Sequence, residues 1–121
     1  MDIKKITIKD NDTGKNKTKR LVAIITDVND KEKTVYFGLH NSGGTFFDGA
    51  TENKRENYNG RHSKMGEAWG KSGARSAGFY SRWVLWESRS KAAIKKKIKE
   101  ITGAKTINMT GVSKITVTKP N

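Results

Sequence analysis

The chain has 121 residues, the length of one domain, and its 25 Lys and Arg against 12 Asp and Glu give a formal charge of +13. It has no cysteine, which excludes disulfide bonds, thiolate metal sites and a cysteine nucleophile. The longest apolar run, residues 21–25, is far shorter than the ~20 residues of a membrane span, and no apolar stretch near the N-terminus indicates a signal peptide. We therefore expect a protein of a reducing compartment that is not secreted.

The first forty residues predict three strands. Residues 3–9 alternate apolar and polar side chains, which is typical of a strand with one buried face. Residues 20–28 are rich in β-branched side chains and continuous enough for a strand buried on both faces. Residues 33–40 predict a third strand, and the polar residues 29–32 predict a hairpin turn before it.

Three helices are predicted between residues 51 and 103. Thr51, Ser76 and Ser90 are suitable N-caps for them, and Gly103 is a typical residue at a helix end. The third helix has isoleucines at i, i+4 and i+7, which predicts one buried face with lysines on the others.

Strand character returns in the tail from Lys105, where Val112, Ile115 and Val117 are the apolar residues. Strands followed by helices and a last strand are typical of the α+β class. We predict a single basic domain over residues 1–121. Its small antiparallel sheet, built from the N-terminal strands and the C-terminal strand, packs against two or three helices.

The stretch 76–86 is the richest in aromatic residues, and three of its rings fall at i, i+4 and i+7. That spacing favours a buried helix face, although the same rings are suited to stack on bases or to dock another protein. Arg82 is predicted either to face solvent or to be buried beside Glu67 or Glu87. The predicted core aromatics are Phe37, Trp69, Phe79, Trp83 and Trp86.

Positive charge is concentrated in residues 61–99, which carry eleven Lys and Arg against two acids. Such a segment attracts polyanions over about a Debye length, ~8 Å at physiological salt. A lysine run on a helix is equally typical of a solvated face. Since lysine has no bidentate fork, nucleic-acid binding through it would be tolerant of sequence and sensitive to salt. The predicted contact residues are Arg75, Arg89, Lys91, Lys95, Lys96, Lys97 and Lys99.

Tyr58, Arg61 and His62 lie within about one helical turn of each other, and as a set they could supply a general base and an anion clamp. No nucleophile, metal-ligand spacing or phosphate-loop glycine pattern accompanies them. We therefore predict that the protein is not an enzyme and needs no metal or other cofactor. A nuclease that uses His62 and Arg61 is the catalytic alternative.

Four segments follow one another in a recognisable order: a strand ending in Phe-Gly (35–38), a Tyr-x-x-Arg-His segment (58–62), a tryptophan (Trp69) and an Ala-Gly-Phe-x-Ser-Arg-Trp-x-Leu-Trp run (77–86). Over residues 34–95 this pattern resembles a small protein family of nucleocytoplasmic large DNA viruses, the chlorella-virus and mimivirus group. The resemblance implies a viral protein packaged in the virion, and it implies no mechanism.

Together, charge and resemblance lead us to expect a non-enzymatic structural or adaptor protein of a large DNA virus, a minor capsid or virion component. Its basic face would bind acidic capsid-protein surfaces or packaged DNA. The alternative is a sequence-non-specific nucleic-acid-binding protein that acts in the infected cell. The expected locations are the virion and the viral factory in the host cytoplasm.

Overall fold

The computed structural model describes residues 2–39, 44–64 and 68–115. Its four strands are β1 (Ile3–Asp10), β2 (Lys19–Asp27), β3 (Glu32–Leu39) and β4 (Thr106–Gly111). They form one sheet in the order β3-β2-β1-β4, so that β2 has a neighbour on each side. This interior position suits the continuous apolar sequence of β2, most of which is buried.

The predicted α+β class is confirmed, but the sheet is mixed rather than antiparallel. β1, β2 and β3 pair antiparallel, whereas β4 lies parallel to β1. The reason is the connection from β3 to β4, which contains the helices and carries the chain past β2 and β1 to the opposite edge of the sheet. Such a crossover returns the chain to the end at which β3 began, which makes β3 and β4 parallel. Strand β4 ends at Gly111, and Val117 lies outside the described residues.

The helices are α1 (Glu52–Ser63), α2 (Ala77–Tyr80) and α3 (Lys91–Thr102), with a π-helical turn, Ser81–Leu85, directly after α2. Two of the predicted caps are present, because the hydroxyls of Thr51 and Ser90 accept hydrogen bonds from the amides of Lys54 and Ala93, the third residues of α1 and α3. Gly103 ends α3 with a φ of 74°. Ser76 does not cap α2; its hydroxyl instead donates to the carbonyl of Gly73 at 2.7 Å.

The core lies between the sheet and the segment formed by α2, the π-helical turn and α3. Phe37 and Phe79 are fully buried in it. Trp83 and Trp86 are only partly buried and pack against its margin, and Trp69 is also partly buried. Trp83 and Trp86 are less buried than their helical spacing predicted, because a π-helical turn advances by a smaller angle per residue than an α-helix. Its buried side chains are Val84 and Leu85 instead.

A buried ion pair joins β2 to the segment before α1. Two guanidinium nitrogens of Arg20 donate to the two carboxylate oxygens of Asp48, each at 2.6 Å, and the exposed fractions of these side chains are 3% and 0%. Asp48 also accepts hydrogen bonds from the amide and hydroxyl of Thr45 and from the amide of Ile115, all at 2.8 Å. Arg20 donates further to the carbonyl of Ser113 at 3.2 Å. The pair thus connects three separate parts of the chain.

Burial raises the pKa of the Asp48 carboxyl, but the hydrogen bonds from Arg20, Ile115 and Thr45 outweigh burial and hold that pKa below its ordinary value of 3.8. A carboxyl whose pKa is lower in the folded state stabilises the fold at any pH above its ordinary pKa. This contribution is lost as the pH falls through the lowered pKa.

We expect Asp48→Asn to lower the free energy of unfolding at neutral pH by about 3–5 kcal/mol, because it leaves Arg20 buried without a counter-charge. Denaturant unfolding of the two proteins measures this difference. The difference should shrink once the pH falls well below 3.8, where Asp48 itself becomes protonated. Asp12→Asn, in an exposed loop, should change the free energy by less than about 0.5 kcal/mol. A difference for Asp48→Asn that is the same in acid and at neutral pH would contradict this role.

Candidate functional site

Three of the predicted contact lysines lie together at a shallow groove between α3 and β4. Ile94 and Ile98 are buried against the core, and the helical period therefore turns Lys95, Lys96 and Lys99 towards the surface. The groove has a volume of about 310 Å³, and no acid is among its described lining residues. We call it the lysine groove; its lining residues are Lys95, Lys96, Lys99, Lys105, Thr106 and Ile107.

The other four predicted contact residues lie elsewhere. Lys97 has its ammonium 5.7 Å from the centre of the Trp83 ring, and Lys91 is partly buried at the start of α3. The guanidinium of Arg89 stacks 4.1 Å above the ring of Phe46 and donates to a backbone carbonyl, that of Ala50, at 2.7 Å. Arg75 is exposed and lies close enough to Asp27 to interact with its charge. Three of the seven predicted contact residues thus line the lysine groove, and Lys91 lies one helical turn before Lys95 on the same side of α3.

The lysines of the groove form no ion pair within the described part of the chain. In the basic segment 61–99, Lys71 pairs with Asp2, and Glu87 pairs with both Arg82 and Arg55. In contrast, Lys95 lies four residues after Lys91 and four before Lys99, a spacing at which like charges destabilise a helix. The first turn of α3 also lacks an acid that would favour the helix dipole. This uncompensated charge favours a binding surface over a merely solvated face.

A second basic site lies at the opposite edge of the sheet, beside the end of β3. It is a cleft of about 630 Å³. Helix α1 contributes Lys54, Tyr58, Arg61 and His62, whose spacing of i, i+4, i+7 and i+8 places them on one helix face. We call this site the aromatic cleft; its other lining residues are Lys19, Gly38, Leu39, Gly44, Thr45, Asn57, Ser81, Leu85 and Trp86.

Three rings stack at the aromatic cleft. The rings of Tyr58 and Trp86 are nearly parallel, at 7°, with centres 4.5 Å apart, and His62 stacks on Tyr58 at 4.0 Å. The proximity of Tyr58, Arg61 and His62 was visible in the sequence from their spacing. The contribution of Trp86 was not, because it depends on the π-helical turn that precedes it.

Hydrogen bonds fix Trp86 against α1. Arg55 of α1 donates through Nε to the carbonyls of Trp86 and Glu87, at 3.1 and 3.2 Å, and through a terminal nitrogen to the Glu87 carboxylate at 3.0 Å. Arg82 donates to the same carboxylate oxygen at 3.0 Å. Arg82 therefore adopts one of the two predicted arrangements, partly buried and paired with Glu87, while Glu67 lies outside the described residues.

We expect Lys95→Glu to raise the free energy of unfolding by about 1 kcal/mol at low salt, because it replaces two like-charge pairs on α3 by two attractive ones. Lys96→Glu is the matched control, since it gains an attraction to Lys99 but places a second acid four residues before Glu100. Its effect should be within about 0.3 kcal/mol of zero. Equal stabilisation by both variants, measured by thermal or denaturant unfolding, would show that only the total charge matters.

Among the described residues, no group of three acidic or histidine side chains is arranged to hold a metal ion. No helix in the described ranges has the length and apolar character to cross a membrane. No protein-family model, curated protein or solved structure matches this chain. The resemblance to a family of large DNA viruses therefore stays a prediction.

Proposed function

We propose that the protein is a non-enzymatic adaptor of a large DNA virus, a minor virion component whose lysine groove binds the phosphate backbone of packaged DNA. The observation that carries the proposal is the groove itself, in which Lys95, Lys96, Lys99 and Lys105 converge with no described acid among them. The viral context comes from the sequence resemblance alone.

The chemistry of the groove favours phosphate over an acidic protein surface. Lysine ammonium groups are compact, strongly hydrated charges that bind phosphate oxygens without reading bases. Stable protein interfaces usually contain a buried aromatic or apolar anchor. Apart from the lysine stems, the groove offers only Thr106 and the partly buried Ile107 for that purpose. Acidic protein surfaces are therefore the second choice of partner.

Binding of this kind is driven by the release of counterions. Each phosphate neutralised by a lysine adds roughly −0.9 to the slope of log K against log salt for duplex DNA. No arginine is among the described residues that line the lysine groove. Because a bidentate arginine is a common reader of guanine, we expect all duplex sequences to bind alike.

We expect the triple variant Lys95→Gln, Lys96→Gln, Lys99→Gln to bind duplex DNA more weakly and with a salt slope about 3 smaller in magnitude, which is about one per lysine removed. Fluorescence anisotropy over a series of salt concentrations measures both quantities.

The matched control is Lys15→Gln, Lys17→Gln, Lys33→Gln, which removes the same charge from exposed positions in the β1–β2 loop and on β3. Its salt slope should change by less than about 1. Equal changes in the two triple variants would refute the groove as the site. Absence of duplex binding, with salt-sensitive binding to polyglutamate that the groove lysines control, would identify acidic protein as the partner.

The proposed role in the virion leads to a separate prediction. Mass spectrometry of purified virions should find the protein in stoichiometric amounts, because an adaptor on packaged DNA is enclosed with the genome. If the protein binds duplex DNA through the lysine groove and yet is absent from particles, it acts on nucleic acid in the infected cell. That is the alternative function, and lysine contacts to phosphate, which carry no sequence information, would suit it equally well.

A further inference from the structure

The aromatic cleft combines an apolar wall with a cationic rim. Leu39, Leu85 and Trp86 line its wall, and Leu39 is 54% exposed although it is a large apolar residue. Lys54 and Arg61 from α1 lie at its rim, as does a lysine of β2, Lys19. None of the described residues that line the cleft is an acid. A cleft of this kind suits a ligand that is apolar at one end and anionic at the other.

The arginines that follow two of the rim cations in the sequence are engaged in ion pairs. Arg20 and Arg55, one residue after Lys19 and Lys54, are engaged with Asp48, Glu52 and Glu87.

Within the described ranges, Lys19, Lys54 and Arg61 form no ion pair. The nearby carboxylates are therefore occupied by the two structural arginines, and the rim keeps its positive charge for a ligand. Low-dielectric walls strengthen the attraction of such a cleft for an anion.

The volume of about 630 Å³ is that of an ordinary small-molecule site, for which about 300–1,000 Å³ is typical. Inorganic phosphate alone would leave the wall around Leu39 and Trp86 uncovered, and a neutral apolar ligand would leave the rim cations without a counter-charge. A nucleotide supplies both a flat apolar base and an anionic phosphate. Aromatic and apolar side chains bind bases of any sequence, because every base has a π-face.

We infer that the aromatic cleft binds a nucleotide, with the base against Leu39 and Trp86 and the phosphate beside Arg61 and Lys54. The nucleotide is either a free nucleoside phosphate or an unpaired nucleotide of a nucleic-acid strand, since both present the same chemistry.

Contacts within the protein hold the walls of the cleft in place. Trp86 is fixed by the hydrogen bonds of Arg55 and by stacking on Tyr58. Gly38 at the wall has a φ of 77°, and a Cβ atom there would lie 3.1 Å from Leu85 Cδ1. Glycine therefore keeps the end of β3 close to Leu85 and in a conformation that other residues rarely adopt. A preformed site loses less affinity to ordering than a flexible one.

The test is a titration with AMP, followed by tryptophan fluorescence and by ¹H–¹⁵N NMR shifts. We expect saturable binding with a Kd of about 1 mM or below, and at least about tenfold weaker binding of inorganic phosphate and ribose 5-phosphate. Leu39→Ser and Arg61→Gln alter exposed side chains, so the fold should be retained. Each should weaken AMP binding about tenfold, which is ~1.4 kcal/mol. Lys17→Gln, in the exposed β1–β2 loop, is the control and should bind AMP like the parent protein.

Three results would overturn the inference: no saturable AMP binding at about 10 mM, equal binding of inorganic phosphate, or unchanged affinity in both cleft variants. Competition with a short oligo-dT distinguishes the two sources. If the oligonucleotide displaces AMP, and does so less well in Leu39→Ser, the natural ligand is an unpaired nucleic-acid strand. If AMP binds and the oligonucleotide does not displace it, the natural ligand is a free nucleotide.

The inference stands apart from the proposed function, because the lysine groove lies at the other edge of the sheet. The triple variant of the groove should therefore keep its affinity for AMP.

Discussion

The buried pair of Arg20 and Asp48 is the polar interaction that holds the segments around the sheet together. The carboxylate of Asp48 accepts hydrogen bonds from the amides of Thr45 and Ile115, and the guanidinium of Arg20 donates to the carbonyl of Ser113. These contacts join β2, the segment before α1 and the chain after β4 at one point. Burying two charges is costly, and the cost is offset here by a bidentate geometry and by further hydrogen bonds to the carboxylate. Removing either partner would leave a buried charge next to backbone groups without partners. The arrangement of the loops around the sheet is thereby fixed by polar contacts rather than by apolar packing alone.

The two sites are built at opposite edges of the same sheet. The chain adds β4 beside β1 by a crossover, which places Thr106 and Ile107 next to the lysines of α3. At the other edge, β3 ends beside α1 and the π-helical turn, where Leu39 and Trp86 meet the cations of α1. A molecule with both sites occupied could bind a duplex backbone on one side and a single nucleotide on the other. The β1–β2 loop and the exposed turn after β2 take no part in either site.

Much of the fold can be predicted from local sequence patterns, but much of the geometry of the two sites cannot. The alternation in β1 and the caps Thr51 and Ser90 each depend on neighbouring residues, and the corresponding elements begin close to their predicted positions. The direction of β4 depends on how the intervening helices cross the sheet, which no local pattern encodes. The tryptophans are less buried than predicted for a related reason, since a π-helical turn changes the helical period on which the predicted stripe was based. Trp86 is thus part of the aromatic cleft, although its spacing predicted a place in the core.

The distribution of the acids explains why the cations of the two basic sites form no ion pair in a chain with a charge of +13. Glu87 binds both Arg55 and Arg82, and Asp48 binds Arg20, so the acids near the core neutralise the arginines that hold elements together. Arginine suits this role because its fork makes several hydrogen bonds at once. The lysines of α3 and the rim of the aromatic cleft are left without carboxylate partners in the described residues. The paired arginines therefore stabilise the fold, whereas the surface cations that form no ion pair remain able to bind an anionic ligand.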